Sequence, residues 1–406
     1  MPSTGLPYNI DRDSISSAGD WLNRRDSYSV ADSASWGNYR VENAPSTHYW
    51  HYPHLGTYTD VYFQAIAHKS SRLSQYPWGT GWELCAGVQT YVISGSANTP
   101  IMTNGQGGTI NFSSGGSLYL DHNNTVNVNT TNGVVSIAGG NGGAINTSAS
   151  NNLQFNIVNN HYFSLNTGNG IDHISVSNGI HNGINSGSGN DVITINSGTS
   201  TDNTVSAGDG DDLIEQDDNN NEIHGDGGHD VIHMRDSNHS YVDGGAGSDD
   251  ITVRSYNSQV YGGADNDNII GSNVNTIHGG GEGGTDTSDT IQANDGNHIY
   301  GDAGIDSITV HDSNWVYGGD GSRNYTSDDK DSIYGNDWNH IYGGKGTDSI
   351  VVRHNNYVEG NNDSDGIIAE DHNRILGGGD NDSIIASEYN TVSGGSSMSI
   401  ADGDDG

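Results

Sequence analysis

Twelve times between Asp172 and Ile384 the chain writes Asp-x-Ile, each copy preceded by a glycine-rich turn. The aspartates are Asp172, Asp191, Asp212, Asp230, Asp249, Asp267, Asp289, Asp306, Asp331, Asp348, Asp365 and Asp382, so a unit of about 18 residues recurs with a few loop insertions. A unit this short cannot bury a hydrophobic face alone and must stack on its neighbours as a solenoid coil. The expected fold class is therefore all-β, a parallel β-roll or β-solenoid of about 18-residue coils.

The copy Gly301-Asp-Ala-Gly-Ile-Asp306-Ser-Ile-Thr-Val-His-Asp-Ser-Asn-Trp-Val-Tyr-Gly-Gly319 shows the unit most cleanly. After Asp306, Ser307 and Thr309 alternate with Ile308 and Val310, as a half-buried strand requires, and a turn at His311-Asp-Ser-Asn leads to a second strand with Val316 inward. One coil then supplies about three inward aliphatics to a thin core between two sheets. A second motif, Asn-x-(Ile/Val)-x-Gly, recurs at Asn221, Asn275, Asn297, Asn314, Asn339, Asn356, Asn373 and Asn390. Asparagine tolerates left-handed backbone and its amide can bond the next coil, so this motif reads as a structural corner ladder.

Only 31% of the 406 residues are hydrophobic and 60 are glycine, which excludes a thick conventional core. The formal charge of -38 is concentrated in the repeats: residues 201–406 hold 40 acids and 7 bases, whereas 1–100 hold 8 and 6. Disordered polyanions carry such charge without order. Here the acids are periodic, which points to a scaffold filled with cations and argues against nucleic acid or an anionic membrane as partner. No apolar stretch is long enough to span a membrane, and the single Cys85 excludes an internal disulfide framework.

The organisation read from composition is an aromatic-rich head or cap over 1–98, metal-free β-solenoid coils over 99–166, and cation-binding repeats over 167–406. The head holds Trp21, Trp36, Trp50, Trp78 and Trp82. Alternating runs such as Ser117-Leu-Tyr-Leu carry strand signals before the acids begin.

The turns before the aspartates, Gly244-Gly245-Ala-Gly247-Ser-Asp249, Gly301-Asp-Ala-Gly304-Ile-Asp306 and Gly343-Gly344-Lys-Gly346-Thr-Asp348, place glycines where positive φ turns carbonyls toward one point. Carboxylate and carbonyl oxygens at a flexible turn suit a hard cation, Ca²⁺ above Mg²⁺, with each ion between successive coils. These residues resemble the repeats-in-toxin family, whose nonapeptide Gly-Gly-x-Gly-x-Asp-x-(aliphatic)-x binds calcium in a parallel β-roll. The resemblance covers about 167–385 and implies a calcium-dependent extracellular fold. It also implies, in many relatives, one-step export with an uncleaved C-terminal signal, and the start of the chain lacks the basic and apolar regions of a cleavable signal.

Three turns depart from the pattern: Gly225-Asp-Gly-Gly-His-Asp230, Gly262-Gly-Ala-Asp-Asn-Asp267 and Gly360-Asn-Asn-Asp-Ser-Asp365. The opposite turn carries Asp236, Asp295, Asp312, Asp337, Asp371 and Glu388 without the glycine motif. It reads as a solvated acidic face, with a second row of ions the alternative.

No His-Glu-x-x-His or Gly-x-Ser-x-Gly signature is present. His48, His51 and His54 read as an aromatic loop of the head, and Cys85 as a core residue. The expected function is a secreted calcium-binding structural or adhesive protein of a surface layer, filament or matrix. Its expected partners are calcium, a second copy through the solenoid ends or head, and a cell-surface glycan. A polysaccharide lyase or epimerase, or a glycan-binding adhesin, is the alternative.

Overall fold

Parallel in-register pairing of identical residue types organises every repeat, because a β-branched residue stacks best on a copy of itself across a pleated sheet. The computed structural model describes strand backbone from Asn38 onward. It describes backbone and side chains over 143–147, 152–158, 161–196, 200–236, 238–280, 288–319 and 330–394. The described residues are strands and turns with no helix, and they divide into two compact units, Met1–Ala207 and Gly208–Gly406.

In the second unit each coil contributes one strand to each of two parallel sheets. The first sheet runs from Leu213–Gln216 to Ser397–Asp402 and the other from Glu222–Gly227 to Thr391–Ser393. In the first sheet Ile214, Ile232, Ile251, Ile269, Ile291, Ile308, Ile333, Ile350, Ile367 and Ile384 pair in consecutive register, and each is 0–1% exposed. Val242, Val260, Ile277, Ile299, Val316, Ile341, Val358 and Ile375 face them from the other sheet, also 0% exposed. The strand Ser307–Val310 alternates as expected, with Ser307 and Thr309 outward and Ile308 and Val310 buried.

The third inward position is less regular than the one-coil reading suggests. It holds Val253, Gly271, Ala293, Val310, Gly335, Val352, Ala369 and Ala386 on successive coils. At Gly271 the space is filled from across the core, since a Cβ there would lie 2.4 Å from Ile277 Cδ1, and Gly335 relates to Ile341 in the same way at 2.8 Å. A long side chain on one sheet thus compensates for a missing one on the other, which keeps the core dense.

The first unit has the same construction. Phe155, Ile174 and Ile193 stack in parallel register, opposite Ile145, Leu165 and Ile184. Parallel pairing extends back through Asn124–Thr130 and Gly108–Phe112 in one sheet and Val134–Ala138 and Gly116–Tyr119 in the other. It also includes Gly81–Leu84 with Ala97–Met102, inside the segment expected to be head. His48, His51, His54 and Cys85 lie outside the described residues.

Candidate metal centre

All twelve aspartates of the repeat are buried, none more than 3% exposed. They share a face with the core isoleucine two residues on, so the strand alternation that buries isoleucine also carries the carboxylate inward. Each carboxylate spans a coil step. In the first unit Leu153 N–H donates to Asp172 Oδ1 and Asp172 N–H to Asp191 Oδ1, both at 2.7 Å. In the second unit the backbone N–H of Asp212, Asp230, Asp249, Asp267, Asp289, Asp306, Asp331, Asp348 and Asp365 donates to Oδ1 of the next aspartate at 2.7–3.1 Å.

The second carboxylate oxygen has a different setting. Oδ2 of Asp230, Asp249, Asp365 and Asp382 is buried without a hydrogen-bond partner. A Cβ placed on Gly244 would stand 2.4 Å from Asp249 Oδ2 and 2.3 Å from the Gly262 carbonyl oxygen of the next coil. Gly225 stands in the same relation to Asp230 and Gly244 O, both at 2.3 Å, and Gly360 to Asp365 at 2.3 Å and Gly377 O at 2.4 Å. Gly301 and Gly343 repeat it beside Asp306 and Asp348. Glycine at these positions is therefore favoured by the approach of two oxygens, a carboxylate and a carbonyl, to the place a Cβ would take.

Positive φ recurs at the second and fourth turn positions, at 109° and 120° for Gly245 and Gly247, and at 117° and 122° for Gly344 and Gly346. The three irregular turns adopt the same backbone. Asp226 and Gly228 have φ of 72° and 132°, Gly263 and Asp265 of 125° and 76°, and Asn361 and Asp363 of 78° and 72°. Aspartate and asparagine tolerate the left-handed region better than other side chains, so they stand in for glycine here. Asp302, paired with Gly304, does so within an otherwise regular copy, at φ 68°.

Burial raises these carboxyls. Asp230 and Asp249 are pushed up to about 7 and Asp365 to about 8, first by desolvation and then by neighbouring aspartates, against the lowering effect of the accepted backbone hydrogen bond. Asp382 shifts in the same direction. Asp172 also shifts upward through burial, with the Thr167 hydroxyl opposing it.

Thr167 and Ser186 occupy the first turn position in the first unit, where Ala207 stands in the next copy and glycine from Gly225 onward, and their hydroxyls donate at 2.7 Å to Ser186 O and Ala207 O. Those corners carry a hydroxyl where Gly225, Gly244, Gly262, Gly279, Gly301, Gly318, Gly343, Gly360 and Gly377 bring bare backbone up to an aspartate Oδ2. The signal was present in Thr167-Gly-Asn-Gly and Ser186-Gly-Ser-Gly, which begin with a hydroxyl residue.

The opposite corner supplies the comparison. Asn275, Asn297, Asn314, Asn339, Asn356 and Asn373 each donate a backbone N–H to the next asparagine Oδ1 at 2.7–2.8 Å, the arrangement seen in the aspartate row. Their second atom is an amide nitrogen, and it donates: Asn339 Nδ2 to His311 O at 2.8 Å, Asn356 Nδ2 to Asn336 O at 2.7 Å and Asn373 Nδ2 to Arg353 O at 2.6 Å. Ser240 and Ser258 complete the row between Asn221 and Asn275. The sequence motif misses these two because serine is not asparagine, although both supply an acceptor oxygen.

The acids near this corner lie at the surface. Asp295 and Asp312 accept the exposed backbone N–H of Asp312 and Asp337 at 3.1 Å, and Asp337 accepts that of His354 at 3.1 Å. They cap backbone groups in contact with solvent, as the reading of a solvated acidic face expects.

No family model matches this chain, and no match was found among curated proteins or solved structures. The chemistry must therefore be read from the edge itself. Among the described residues no three His, Cys, Asp or Glu side chains converge as a metal cluster, so a cation here would take carboxylate oxygen from the aspartate row and carbonyl oxygen from the glycine turns. That donor set is all oxygen and fits a hard cation.

A concavity of about 400 Å³ lies on the outer face of the first sheet, where Gly271 and Ala293 thin the wall, with Arg254, Gln292, Thr309 and His311 around it. No carboxylate lines it.

Proposed function

We propose that this chain is a calcium-stabilised structural or adhesive solenoid that works outside the cell, as part of a surface layer, filament or matrix. The observation that carries this reading is the contrast between the two corners. Both use one side-chain oxygen to bridge coils, but the asparagine corner finishes with a donor and the aspartate corner with a second acceptor beside a carbonyl. Aspartate at such a corner is costly unless a cation or proton compensates it. A divalent ion bound to Oδ2 and turn carbonyls removes that cost at corners such as those of Asp230, Asp249, Asp365 and Asp382.

Calcium suits the site better than magnesium because flexible glycine turns accommodate irregular, higher coordination. The repulsion of 40 acids against 7 bases over residues 201–406 keeps the metal-free chain expanded, and binding free energy becomes folding free energy. Individual affinities are expected in the range of extracellular modules, with Kd on the order of 10⁻⁴–10⁻³ M. The resemblance to repeats-in-toxin rolls supports the same ion and compartment.

The test is circular dichroism of the full chain in chelator, in millimolar magnesium and in millimolar calcium. A β-spectrum that develops cooperatively with calcium alone supports the proposal. Equal β-content in chelator and calcium contradicts it.

A further inference from the structure

The outward face of the second sheet in the Gly208–Gly406 unit carries an aromatic file that the calcium reading does not use. Tyr261, His278, Tyr300, Tyr317 and Tyr342 follow the inward residues Val260, Ile277, Ile299, Val316 and Ile341 by one position, so all five point outward, and they pair in consecutive register. Their centroids lie 4.8, 4.4, 5.1 and 5.0 Å apart with interplanar angles of 10°, 9°, 5° and 7°. The strand spacing of a parallel sheet, about 4.8 Å, imposes this stack.

Because the rings face one another, their faces are covered within the file and their edges meet solvent. At the inner rings, His278, Tyr300 and Tyr317, both faces are taken by neighbours. What the edge presents is the phenol oxygen and the ring carbons ortho to it. Tyr317 and Tyr342 are the closest pair of consecutive phenols, nearly parallel and half-buried on adjacent coils.

We propose that Tyr317 and Tyr342 form a site of oxidative coupling to o,o′-dityrosine, with Tyr300 as the other partner open to Tyr317. Each phenol loses one electron and its hydroxyl proton to give a tyrosyl radical with spin on the ortho carbons. The two ortho carbons join, and each ring sheds its displaced hydrogen as a proton while a phenol oxygen regains one. The net change is loss of two protons and two electrons, which reduce one hydrogen peroxide to two waters on a haem peroxidase.

The consequence is a covalent staple between coils in a chain whose single cysteine allows no internal disulfide. Like a disulfide, it restricts the unfolded chain. This inference rests on the strand register and not on calcium.

The experiment oxidises the full-length protein with hydrogen peroxide and a haem peroxidase, under conditions where circular dichroism shows the β-roll. Trypsin places Tyr317 in peptide 255–323 and Tyr342 in peptide 331–345. The expected product has the mass of a monomer and joins these two peptides with loss of two hydrogens, with fragment ions at Tyr317 and Tyr342. Tyr317→Phe keeps the ring stack and the β-spectrum but abolishes the joined peptide. Oxidised wild-type protein should unfold at higher urea than untreated protein, and oxidised Tyr317→Phe should show a smaller gain. Coupling scattered over other tyrosines without the 317–342 link, or links only between molecules, would overturn the proposal. A calcium-independent β-roll that still forms the link would refute the calcium reading and leave the staple standing.

Discussion

Replacing Asp249 by asparagine exchanges the buried Oδ2 for an amide nitrogen and converts one calcium-type corner into the kind found at Asn339. Oδ1 can still accept the Asp230 N–H, now held at 2.7 Å, and the new Nδ2 gains a carbonyl acceptor in Gly262. The metal-free protein should therefore gain stability, by about 1–3 kcal/mol, the usual cost of a buried polar atom left unpaired. In calcium the sign reverses, because the variant loses a ligand that the wild type uses. Urea denaturation of Asp249→Asn in calcium, and its residual β-spectrum in chelator beside that of the wild type, check both signs. A loss of stability in both solutions would mean that Oδ2 has a structural partner other than a cation.

The coil itself was largely readable from the chain. Asp-x-Ile announced the first strand, and the alternation Ser307-Ile308-Thr309-Val310 set which face is buried. Three things were less visible. The compensation of Gly271 by Ile277 depends on two strands meeting across the core, which no local pattern states. The left-handed backbone of Asp265, Asn361 and Asp363 is not legible in a motif that counts glycines, because these residues reach the same φ with a side chain. The aromatic file was hidden because its members are about 17 to 25 residues apart and only the parallel register brings them together.

The asparagine corner offers the reciprocal test of the coil. Asn339→Ala removes the acceptor of the Asn314 N–H and the donor to His311 O, and should cost about 1–3 kcal/mol. Asn339→Asp keeps the acceptor and introduces a second oxygen beside a carbonyl without a glycine turn to admit a cation. It should destabilise the calcium-loaded protein, and a variant as stable as the wild type in calcium would show that the two corners are equivalent after all.

Across the molecule the same carboxyls set an unusual dependence on pH. The folded values of about 7 for Asp230 and Asp249 and about 8 for Asp365 lie above the ordinary carboxyl value of 3.8. A raised carboxyl binds its proton more tightly in the folded state. Its contribution is complete below the unfolded value and is lost as pH rises through 7 to 8. The metal-depleted protein should accordingly tolerate more urea at pH 5 than at pH 8.5, the reverse of ordinary acid denaturation. Calcium competes with those protons, so millimolar calcium should favour the higher pH and release protons on binding, which calorimetry in buffers of different ionisation enthalpy can count. A metal-depleted chain most stable at pH 8.5 would show that the aspartates are already compensated within the protein.

The decisive measurement is a crystal structure of the full chain grown in millimolar calcium, with anomalous data collected to locate the ions. The account predicts a row of anomalous peaks along the glycine-rich edge, each in contact with Oδ2 of an aspartate such as Asp249 or Asp365 and with turn carbonyls, and none among the asparagine corners. An edge without peaks, with Oδ2 at hydrogen-bond distance from the glycine carbonyl, would mean that protons hold the coils together, and would contradict it.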